Sequence, residues 1–565
     1  SSKMTTLESS GVTGNLIGNA TKDVTGTVEN PLTTFKMSIQ KNNTGYFVSY
    51  TNEAGETVTK KYYDTKALEQ LDEDNVYVGF FASRTAKISV TDINLTTVSP
   101  ENDVAKEEQP VTTVAPSYKV TSASVSNSES YKLSYVANAD GHVVVTAADG
   151  TVIADEYVTA GQKYVWETTL TLGENTFTVT MTPVEGYRPS EFEVLDSYEA
   201  STFTYKVTYN KFDGDMIYVG PDATSDGVGT KENPIDIYTA VKFVSPGQKI
   251  VLLSGTYNLE STVTVQPGID GTESQPIIMA AESSTDRPVF DFGKNCEGMV
   301  LAGDHWYYQG FDVTNSANAK DGIRLCGSSC TVDNVRTYHN GNTGLQISRF
   351  TSTDTKEEWP SNNLVLNCTS YGNADEGYED ADGFAAKLTI GEGNVFDGCI
   401  AYNNADDGWD LFAKVETGSI GAVTIQNCVA YGNGYLEDGT DAGNGNGFKM
   451  GGSSITGYHT LINSVAFGNK AKGIDSNSCP DIQVKQSTSF NNESYNVAFY
   501  TNAGNKTDFG ATGILSYRTK NLTQQEQLKL LQEEATIRTT MNYFWNETKQ
   551  ESTNSEGNVA KDSWI

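Results

Sequence analysis

A repeated motif in the C-terminal half of the chain restricts the possible fold more than any other feature of the sequence. Six segments carry a tyrosine or phenylalanine followed two positions later by asparagine, as in NCTSYGN, NCVAYGN and NSVAFGN. Successive motifs are 23 to 36 residues apart, and their asparagines are Asn340, Asn373, Asn404, Asn433, Asn469 and Asn492. Repeats of this length that contain strand-forming residues, with neither a helical stripe nor a leucine signature, predict a solenoid of short strands, the parallel β-helix.

Equivalent residues of a β-helix form columns, because each coil stacks on the previous one at about 4.8 Å. We therefore expect the asparagine side chains to hydrogen-bond from coil to coil and to satisfy backbone groups of the turns. The same alignment stacks small residues in a second column, which predicts close packing and unreactive thiols rather than ligands. This column contains Cys368, Cys399, Cys428, Ser464 and Ser487.

The remaining sequence predicts two further domains and a capping helix. Residues 1–105 alternate apolar and polar residues, as in TGYFVSYTNEAGETVTKKYY, and predict a complete or incomplete β-sandwich of the jelly-roll type. Residues 106–210 are rich in strands separated by short turn signals, which predicts an immunoglobulin-like sandwich. Residues 211–565 form the β-helix domain, which starts near Asp215 with a short amphipathic helix and ends in a helix that opens with the capping box Thr523 to Glu526.

Composition excludes several classes of function. A formal charge of −33 argues against a nucleic-acid partner, and the sequence contains no run of about 20 apolar residues that would cross a membrane. Seven cysteines and four histidines make a disulfide scaffold or a zinc site improbable, although Cys326 and Cys330 in CGSSC fit either a bridge or two free thiols. The acidic, Thr- and Asn-rich composition favours a bacterial enzyme that is secreted or held at the cell surface. The first residues lack the apolar core of a signal peptide, so we expect that a signal peptide has already been removed.

A second motif in the repeats places charged residues on the outside of the solenoid. A glycine followed by a large apolar residue occurs at Gly344-Leu345, Gly383-Phe384, Gly408-Trp409, Gly447-Phe448 and Gly473-Ile474. If the apolar residue points into the core, the next residue points outward, because strand residues alternate. The predicted outward column is Gln346, Ala385, Asp410, Lys449 and Asp475.

Carboxylates accumulate around Asp410 in this column. Asp406 and Asp407 precede the strand of Asp410, and Asp382 takes the place of Asp407 one coil earlier. Four carboxylates from two coils form a cage of hard oxygen ligands that suits Ca²⁺ better than Mg²⁺. Acidic, glycine-rich turns also occur simply as hydrated surface, but the lysine in the same column and the buried aromatic residue favour the metal site.

The position of Lys449 indicates what such a site would catalyse. A nearby dication disfavours the ammonium form and lowers the lysine pKa from about 10.4 toward the range of a general base; the alternative is an ion pair with Asp410 or Asp475. A metal cage beside a lysine base suits β-elimination of a polyuronate, in which the metal binds the substrate carboxylate and acidifies the neighbouring proton. In a chain this acidic, a polyanion requires cations, and the outward-pointing Lys387 and Lys414, together with Arg349, are candidates for substrate binding.

Several motifs together resemble polysaccharide lyase family 9, which comprises pectate lyases and exopolygalacturonate lyases. The motifs are ADGFAAK, NNADDGWDLFAK and GNGFKMGG after YHNGNTGLQIS, with IYVGPDATSDGVGTKENP and GQKIVLLSGTY at the first coil. The resemblance extends from about residue 214 to at least residue 500. It implies that Asp382, Asp406, Asp407 and Asp410 hold Ca²⁺, that Lys449 is the base, and that the substrate is α-1,4-linked galacturonan.

These observations together predict an all-β protein, a right-handed parallel β-helix preceded by two small β-sandwich domains, which acts as a monomeric, calcium-dependent pectate lyase on polygalacturonate. Two other functions stay open at this point. A glycoside hydrolase on the same solenoid would use paired carboxylates such as Asp406 and Asp407 without calcium. A binding module or adhesin would use the solenoid as a display surface with purely structural calcium. The sequence does not distinguish cleavage within the polymer from cleavage at its ends.

Overall fold

The computed structural model describes most of the chain. The described residues are 34, 36–51, 53, 55, 57–63, 89–502 and 505–517, with the backbone of four further strands between 537 and 561. They divide into two compact units, residues 1–116 with 184–198, and residues 117–183 with 199–565. The predicted helix that follows Thr523 lies outside the described residues.

The second unit contains the predicted parallel β-helix, whose coils contribute strands to three long sheets. The first sheet contains, in order, Met216–Val219, Lys249–Leu252, Ile277–Ala281, Trp306–Gln309, Thr331–Asp333, Leu364–Leu366, Asn394–Asp397, Val423–Gln426, Thr460–Ile462, Gln483–Lys485, Phe509–Thr512 and Ile537–Thr540. The second sheet contains Thr256–Asn258, Val289–Asp291, Asp312–Thr314, Arg336–Tyr338, Thr369–Tyr371, Ile400–Tyr402, Val429–Tyr431, Val465–Phe467, Thr488–Phe490, Leu515–Tyr517 and Asn542–Asn546, followed by the antiparallel strands Lys549–Thr553 and Val559–Lys561. The third sheet contains Val263–Val265, Met299–Leu301, Ile323–Leu325, Leu345–Ile347, Phe384–Ala386, Trp409–Asp410, Phe448–Lys449, Ile474–Asp475 and Val497–Ala498.

The predicted asparagine column is confirmed as a continuous ladder of hydrogen bonds. From Asn340 to Asn492, each side-chain Nδ2 donates to the Oδ1 of the next asparagine at 2.8 to 3.0 Å. The same Oδ1 also accepts the backbone N–H of the preceding asparagine at 3.1 to 3.3 Å. All six side chains are buried, so the ladder satisfies turn backbone that water does not reach.

The cysteine column is also confirmed as packing. Cys368, Cys399 and Cys428 are buried free thiols, and the backbone N–H of Cys399 donates to the Cys428 sulfur at 3.4 Å. Cys326 and Cys330 are free thiols as well, and their side chains contact different groups. The Cys330 thiol donates to the Gly303 carbonyl, whereas Cys326 packs with Val300 and Ala302.

The aromatic residue of the repeat motif lies on the outside of the second sheet. Seven rings stack face to face with neighbouring centroids 4.8 to 5.2 Å apart, and they belong to Tyr338, Tyr371, Tyr402, Tyr431, Phe467, Phe490 and Tyr517. Because the faces of these rings cover one another, only their edges meet solvent. The column therefore stabilises the coils rather than offering a platform on which sugars stack.

The helix predicted at the start of the solenoid is confirmed as Ile237–Phe243. The Asp236 side chain caps its N-terminus by accepting the Thr239 N–H at 2.9 Å. Ile237, Ala240, Val241 and Phe243 are buried, with Ile237, Ala240 and Val241 in the solenoid core, so the helix covers the first coil. The exposed edge of the first coils is thereby protected from pairing with other strands.

The immunoglobulin-like sandwich belongs to the same unit as the solenoid. One sheet contains Lys163–Thr169, Ser130–Ala137 and Tyr118–Val120. The other contains Val125–Ser126, Ser201–Tyr209, Gly173–Pro183, Gly141–Ala147 and Val152–Val158. The Asn127 side chain donates to the Val244 carbonyl at 2.5 Å, which connects the sandwich to the C-terminal end of the helix Ile237–Phe243.

In the first unit, the described strands Lys36–Asn42, Gly45–Thr51 and Thr57–Tyr62 form an antiparallel sheet, as the alternation around residues 44–63 predicts. A short parallel pair joins Thr112–Val114 to Glu193–Leu195, and a 3-10 turn spans Pro100–Asn102. The rest of the predicted first sandwich lies largely outside the described residues. Among the residues that are described, no helix has the length and apolarity required to span a membrane.

Candidate metal and catalytic site

The third sheet brings the five predicted outward positions into one column. Its strand register pairs Gln346 with Ala385, Ala385 with Asp410, Asp410 with Lys449, and Lys449 with Asp475. The spacing of the glycine and apolar residues therefore located the column correctly. Asp410 and Lys449 occupy neighbouring coils, so their side chains project from adjacent strands on the same side of the sheet.

Packing behind the column explains the glycine that precedes each apolar residue. The rings of Phe384, Trp409 and Phe448 stack inside the solenoid with centroids 4.9 Å apart. A Cβ at Gly408 would lie 2.9 Å from Asn433 Nδ2 and 2.6 Å from the Gly447 carbonyl oxygen. Glycine is therefore required because the strand approaches the asparagine ladder and the next coil too closely for a side chain.

Three of the four predicted metal ligands form a compact carboxylate cluster, which consists of Asp382, Asp407 and Asp410. One oxygen from each lies within 4.8 Å of the others, and all three side chains are buried. Asp406 is buried next to this cluster but is not part of the group of three, and its Oδ1 accepts the Asn444 N–H at 2.9 Å. The structure thus brings the four acids to one place, with Asp406 at the edge.

The oxygens of the carboxylate cluster fit a hard cation. Asp407 Oδ1 accepts both the backbone N–H and the side-chain amide of Asn446, at 2.7 and 2.8 Å. Asp407 Oδ2 is buried and lies 3.0 Å from the Lys449 ammonium. Asp410 Oδ1 accepts the Phe412 N–H at 3.0 Å, so backbone and amide donors orient both carboxylates and leave their Oδ2 atoms to meet cations.

Two lysines balance the charge of the carboxylate cluster. The Lys449 ammonium lies 3.0 Å from Asp407 Oδ2 and 3.5 Å from Asp410 Oδ2. The Lys387 ammonium lies 2.6 Å from Asp382 Oδ2 and 3.2 Å from Asp410 Oδ2. Lys449 thus makes the ion pair that the sequence offered as an alternative to a catalytic role, with Asp407 as an additional partner. Lys387, a candidate for substrate binding, contacts the carboxylate cluster itself.

Burial and mutual repulsion strongly perturb these groups. Burial raises the pKa of Asp382 to about 7, and burial with repulsion from its acidic neighbours raises that of Asp406 to about 9. Burial opposes ionisation of Asp410 too, but the two ammonium groups outweigh it and hold its pKa below the usual value. Burial alone would lower the pKa of Lys449, yet attraction to the surrounding carboxylates holds it well above its ordinary value. Burial would lower the pKa of Lys387 too, but attraction to Asp382 and Asp410 raises it, so both lysines are protonated beside the carboxylate cluster.

The other two candidates for substrate binding lie apart from the cluster. Lys414 and Arg349 are half-buried, and neither has an ion pair with an acidic residue of the described part of the chain. The Arg349 carbonyl accepts a hydrogen bond from Arg324 at 3.3 Å. The structure thus places both side chains without giving either a partner that defines its role.

Sequence reasoning missed Asn446, the residue that orients Asp407. The position before each third-sheet glycine is occupied in successive coils by Asp382, Asp407 and then Asn446. Extending that column by one coil would have found it. The amide replaces a third carboxylate with a group that donates to Asp407 and also accepts the Lys472 N–H through its own oxygen at 3.2 Å.

Three family models match successive parts of the chain. The model for the Pel9A-like, right-handed β-helix region matches residues 217–507, about half of the chain. The models for the N-terminal domain and the central Ig-like domain of pectate disaccharide-lyase match residues 3–100 and 119–199.

Curated relatives and solved structures agree with these matches. The chain is 38% identical over 493 residues to pectate lyase L of Thermoclostridium stercorarium, an alignment that covers 87% of this chain and 39% of the relative. It is 31% identical over 470 residues to pectate disaccharide-lyase of Dickeya chrysanthemi, which covers 82% of this chain and 58% of that protein. A solved rhamnogalacturonan lyase matches 58% of this chain and 87% of its own chain with a TM-score of 0.50 and 24% identity, a likeness of fold. The chain thus spans between about two fifths and three fifths of the length of these two curated relatives.

Proposed function

Because the chain belongs to the Pel9A-like family of right-handed β-helices, we propose that it is a calcium-dependent pectate lyase that cleaves α-1,4-linked polygalacturonate by β-elimination. The observation that carries this proposal is the contact between Lys449 and the carboxylate cluster. A lysine and three buried carboxylates meet at one point of an outward-facing column. The names of the relatives support pectate as the substrate.

In this reaction Lys449 acts as the general base. Its unprotonated amine takes the proton from C5 of a galacturonate residue, and the C5–H electron pair forms the C4=C5 double bond. The C4–O glycosidic bond breaks with its electron pair on the departing oxygen, which takes up a proton from water. The Phe412 ring lies 5.9 Å from the Lys449 ammonium and, with the buried strand, limits how the side chain can move. Asn446 and the Phe412 N–H keep Asp407 and Asp410 in place during the reaction.

Asp382, Asp407 and Asp410, with Asp406 beside them, are the residues that would hold calcium. When bound, calcium supplies positive charge that acidifies the C5 proton through the substrate carboxylate and disfavours the protonated form of Lys449. The Oδ2 atoms of Asp407 and Asp410 support this assignment, because both already meet the positive charge of the Lys449 ammonium. A carboxylate-rich, oxygen-only set of ligands is the kind that calcium prefers.

We also propose that Lys387, Lys414 and Arg349 contribute positive charge to substrate binding, and that the protein acts as a monomer outside the cell. The acidic composition supports an extracellular role, and a polyanionic substrate requires cations near the groove. Light scattering coupled to size-exclusion chromatography tests the oligomeric state. A mass near twice 61.1 kDa would contradict the monomer.

The decisive experiment follows the ultraviolet absorbance of unsaturated uronides when the protein is mixed with polygalacturonate and calcium at alkaline pH. We expect product formation that chelation abolishes, and we expect Lys449→Ala to reduce kcat by about 10² to 10⁴. Lys485→Ala, which removes an exposed lysine from the first sheet, is the matched control and should keep full activity. Shortened chains without a double bond would instead indicate a hydrolase, and binding without any cleavage would indicate a binding module.

A further inference from the structure

A second cluster of charged residues lies one coil beyond Lys449 in the third sheet. Asp475 is the next residue of the outward column and is 1% exposed. The Lys472 ammonium lies 2.6 Å from Asp475 Oδ2, and the Tyr500 hydroxyl donates to the same oxygen at 3.5 Å. The Lys472 ammonium also lies 5.4 Å from the centre of the Tyr500 ring. We call these three residues the Lys472 site.

Asp475 is satisfied by protein groups alone. Its second oxygen, Oδ1, accepts the Asn477 N–H at 3.0 Å. It lies outside the carboxylate cluster, which is the one group of three or more possible metal ligands in the described part of the chain. A buried carboxylate with these contacts holds a cation in place rather than recruiting a metal, and the cation that it holds is Lys472.

The Lys472 side chain keeps 19% of its surface exposed while its ammonium is fixed by Asp475 and Tyr500. A lysine on a free surface would lose considerable conformational entropy when it binds an anion. Lys472 has lost most of that freedom in the folded protein, so it is preorganised for an anionic ligand.

Lys472 also occupies a defined position relative to the proposed catalytic residues. It stands directly before Gly473, in the column that holds Asp407 and then Asn446 in the two preceding coils. Coils stack at about 4.8 Å, so Lys472 lies roughly 10 Å from Asp407 along the groove, with Lys449 on the coil between them. That separation is comparable to the length of two sugar units of a hexose polymer.

We propose that Lys472 binds the carboxylate of a uronate residue two sugar units along the polymer from the one held at the carboxylate cluster, and that Asp475 and Tyr500 position its ammonium. This inference rests on the proposed function, since the ligand is another sugar of the same polyuronate. A polyuronate carries one carboxylate per sugar, so a second fixed cation beyond the base would set the register of the chain. The carboxylate cluster and Lys472 then hold the polymer on both sides of Lys449.

The first test compares steady-state kinetics of the wild type with Lys472→Met and Lys472→Arg. We expect Lys472→Met to raise KM for polygalacturonate by about tenfold with kcat within a factor of two, because the contact is made equally in the ground state and the transition state. Lys472→Arg should recover most of the affinity, since it keeps the charge. A KM equal to that of the wild type, or a loss in kcat with unchanged KM, would overturn the assignment.

Removing Lys472 leaves Asp475 buried without its cation, which can destabilise the fold. The double variant Lys472→Met/Asp475→Asn removes both charges and keeps the experiment interpretable. It should unfold at a temperature close to that of the wild type and show the same rise in KM. A stable double variant with a normal KM would refute the proposal.

A binding measurement separates this inference from the proposed function. In a Lys449→Ala background, titration calorimetry with tetragalacturonate and calcium should show about tenfold weaker binding when Lys472→Met is added. If the wild type forms no unsaturated product, the proposed function fails whatever Lys472 does. If the wild type is active and the Lys449→Ala variants with and without Lys472→Met bind tetragalacturonate equally, only the role of Lys472 fails.

Discussion

The asparagine ladder offers the sharpest test of how this solenoid is stabilised, through the substitution Asn433→Ala. The Asn433 side chain accepts from the N–H and the Nδ2 of Asn404, at 3.3 and 3.0 Å. It donates to Asn469 Oδ1 at 3.0 Å and to the Ala401 carbonyl at 3.3 Å. In the alanine variant the Asn404 side chain keeps the Ser370 carbonyl as a partner, whereas the Asn404 N–H loses the bond it makes to Asn433 and stays buried.

The cost of this change follows from the four lost hydrogen bonds. Net contributions near 1 kcal/mol for each bond, with an additional penalty for the stranded backbone N–H, predict a loss of about 3 to 5 kcal/mol in the free energy of unfolding. Asn444→Ala is the control, because it removes an exposed asparagine side chain from the loop that follows and should change stability by less than about 0.5 kcal/mol.

Urea unfolding of the full chain measures the loss, and hydrogen exchange followed by mass spectrometry locates it. Peptides that contain Asn404 should lose protection in Asn433→Ala, whereas peptides from the immunoglobulin-like sandwich should not. Asn433→Asp adds a check on the mechanism, because its carboxylate keeps the acceptor for Asn404 but faces Asn469 Oδ1 without a proton to donate. If Asn433→Ala proves as stable as Asn444→Ala, the ladder does not hold the coils together.

Three further predictions concern buried titratable groups. Burial lowers the pKa of His459 to about 4, so the unfolded chain takes up a proton below about pH 6.5 that the folded chain refuses, and stability falls as the pH drops from 6.5 to 4 by at most about 3 kcal/mol. His459→Asn keeps an acceptor for the Val423 N–H, so its urea unfolding should lose less stability between pH 7 and pH 4.5; equal losses would contradict this assignment. Lys387→Met removes a cation from the carboxylate cluster, so calcium titration by calorimetry should show at least tenfold tighter binding than in Lys414→Met, and unchanged affinity would exclude the competition. A thiol reagent should modify only the half-buried Cys296 in the native protein and all seven cysteines after unfolding, whereas rapid native labelling of several thiols would refute the packing of the cysteine columns.

The columns could be predicted from the sequence because stacking turns a repeat into spatial proximity. Aligning the repeats on Asn404 and on Gly408 fixes two registers, and the strand pairing then determines every neighbour along the solenoid. The outward column from Gln346 to Asp475 and the asparagine ladder were both found in this way. The family membership predicted from the same motifs is confirmed.

The contacts of the lysines could not be predicted in the same way. Four rotatable bonds let a lysine reach several partners, so the alternation that directs Lys387 outward does not decide whether it meets substrate or protein. The structure pairs it with Asp382 and Asp410. The Lys472 site was missed for a related reason, since Tyr500 comes from the following coil and outside the repeat motifs. The exact position of Asp406 depends on the loop that contains Asn444, whose length varies between coils.

The charges along the third sheet are compatible with the proposed binding of a polyanion by so acidic a chain. Asp382, Asp407, Asp410 and Asp475 face three lysines, all within hydrogen-bonding or ion-pair distance, and burial drives the fifth acid, Asp406, toward its neutral form. With Asp406 neutral and the other four acids ionised, four carboxylates against three ammonium groups leave a net charge of −1 here, although the chain carries −33. One bound dication reverses that sign, so the same event that the proposed chemistry requires also makes the groove attractive to a uronate polymer. Under the proposed function, substrate affinity and catalysis would both depend on this one ion. The repulsion from acids elsewhere on the chain is screened beyond about 10 Å, whereas the charges of the third sheet act at contact.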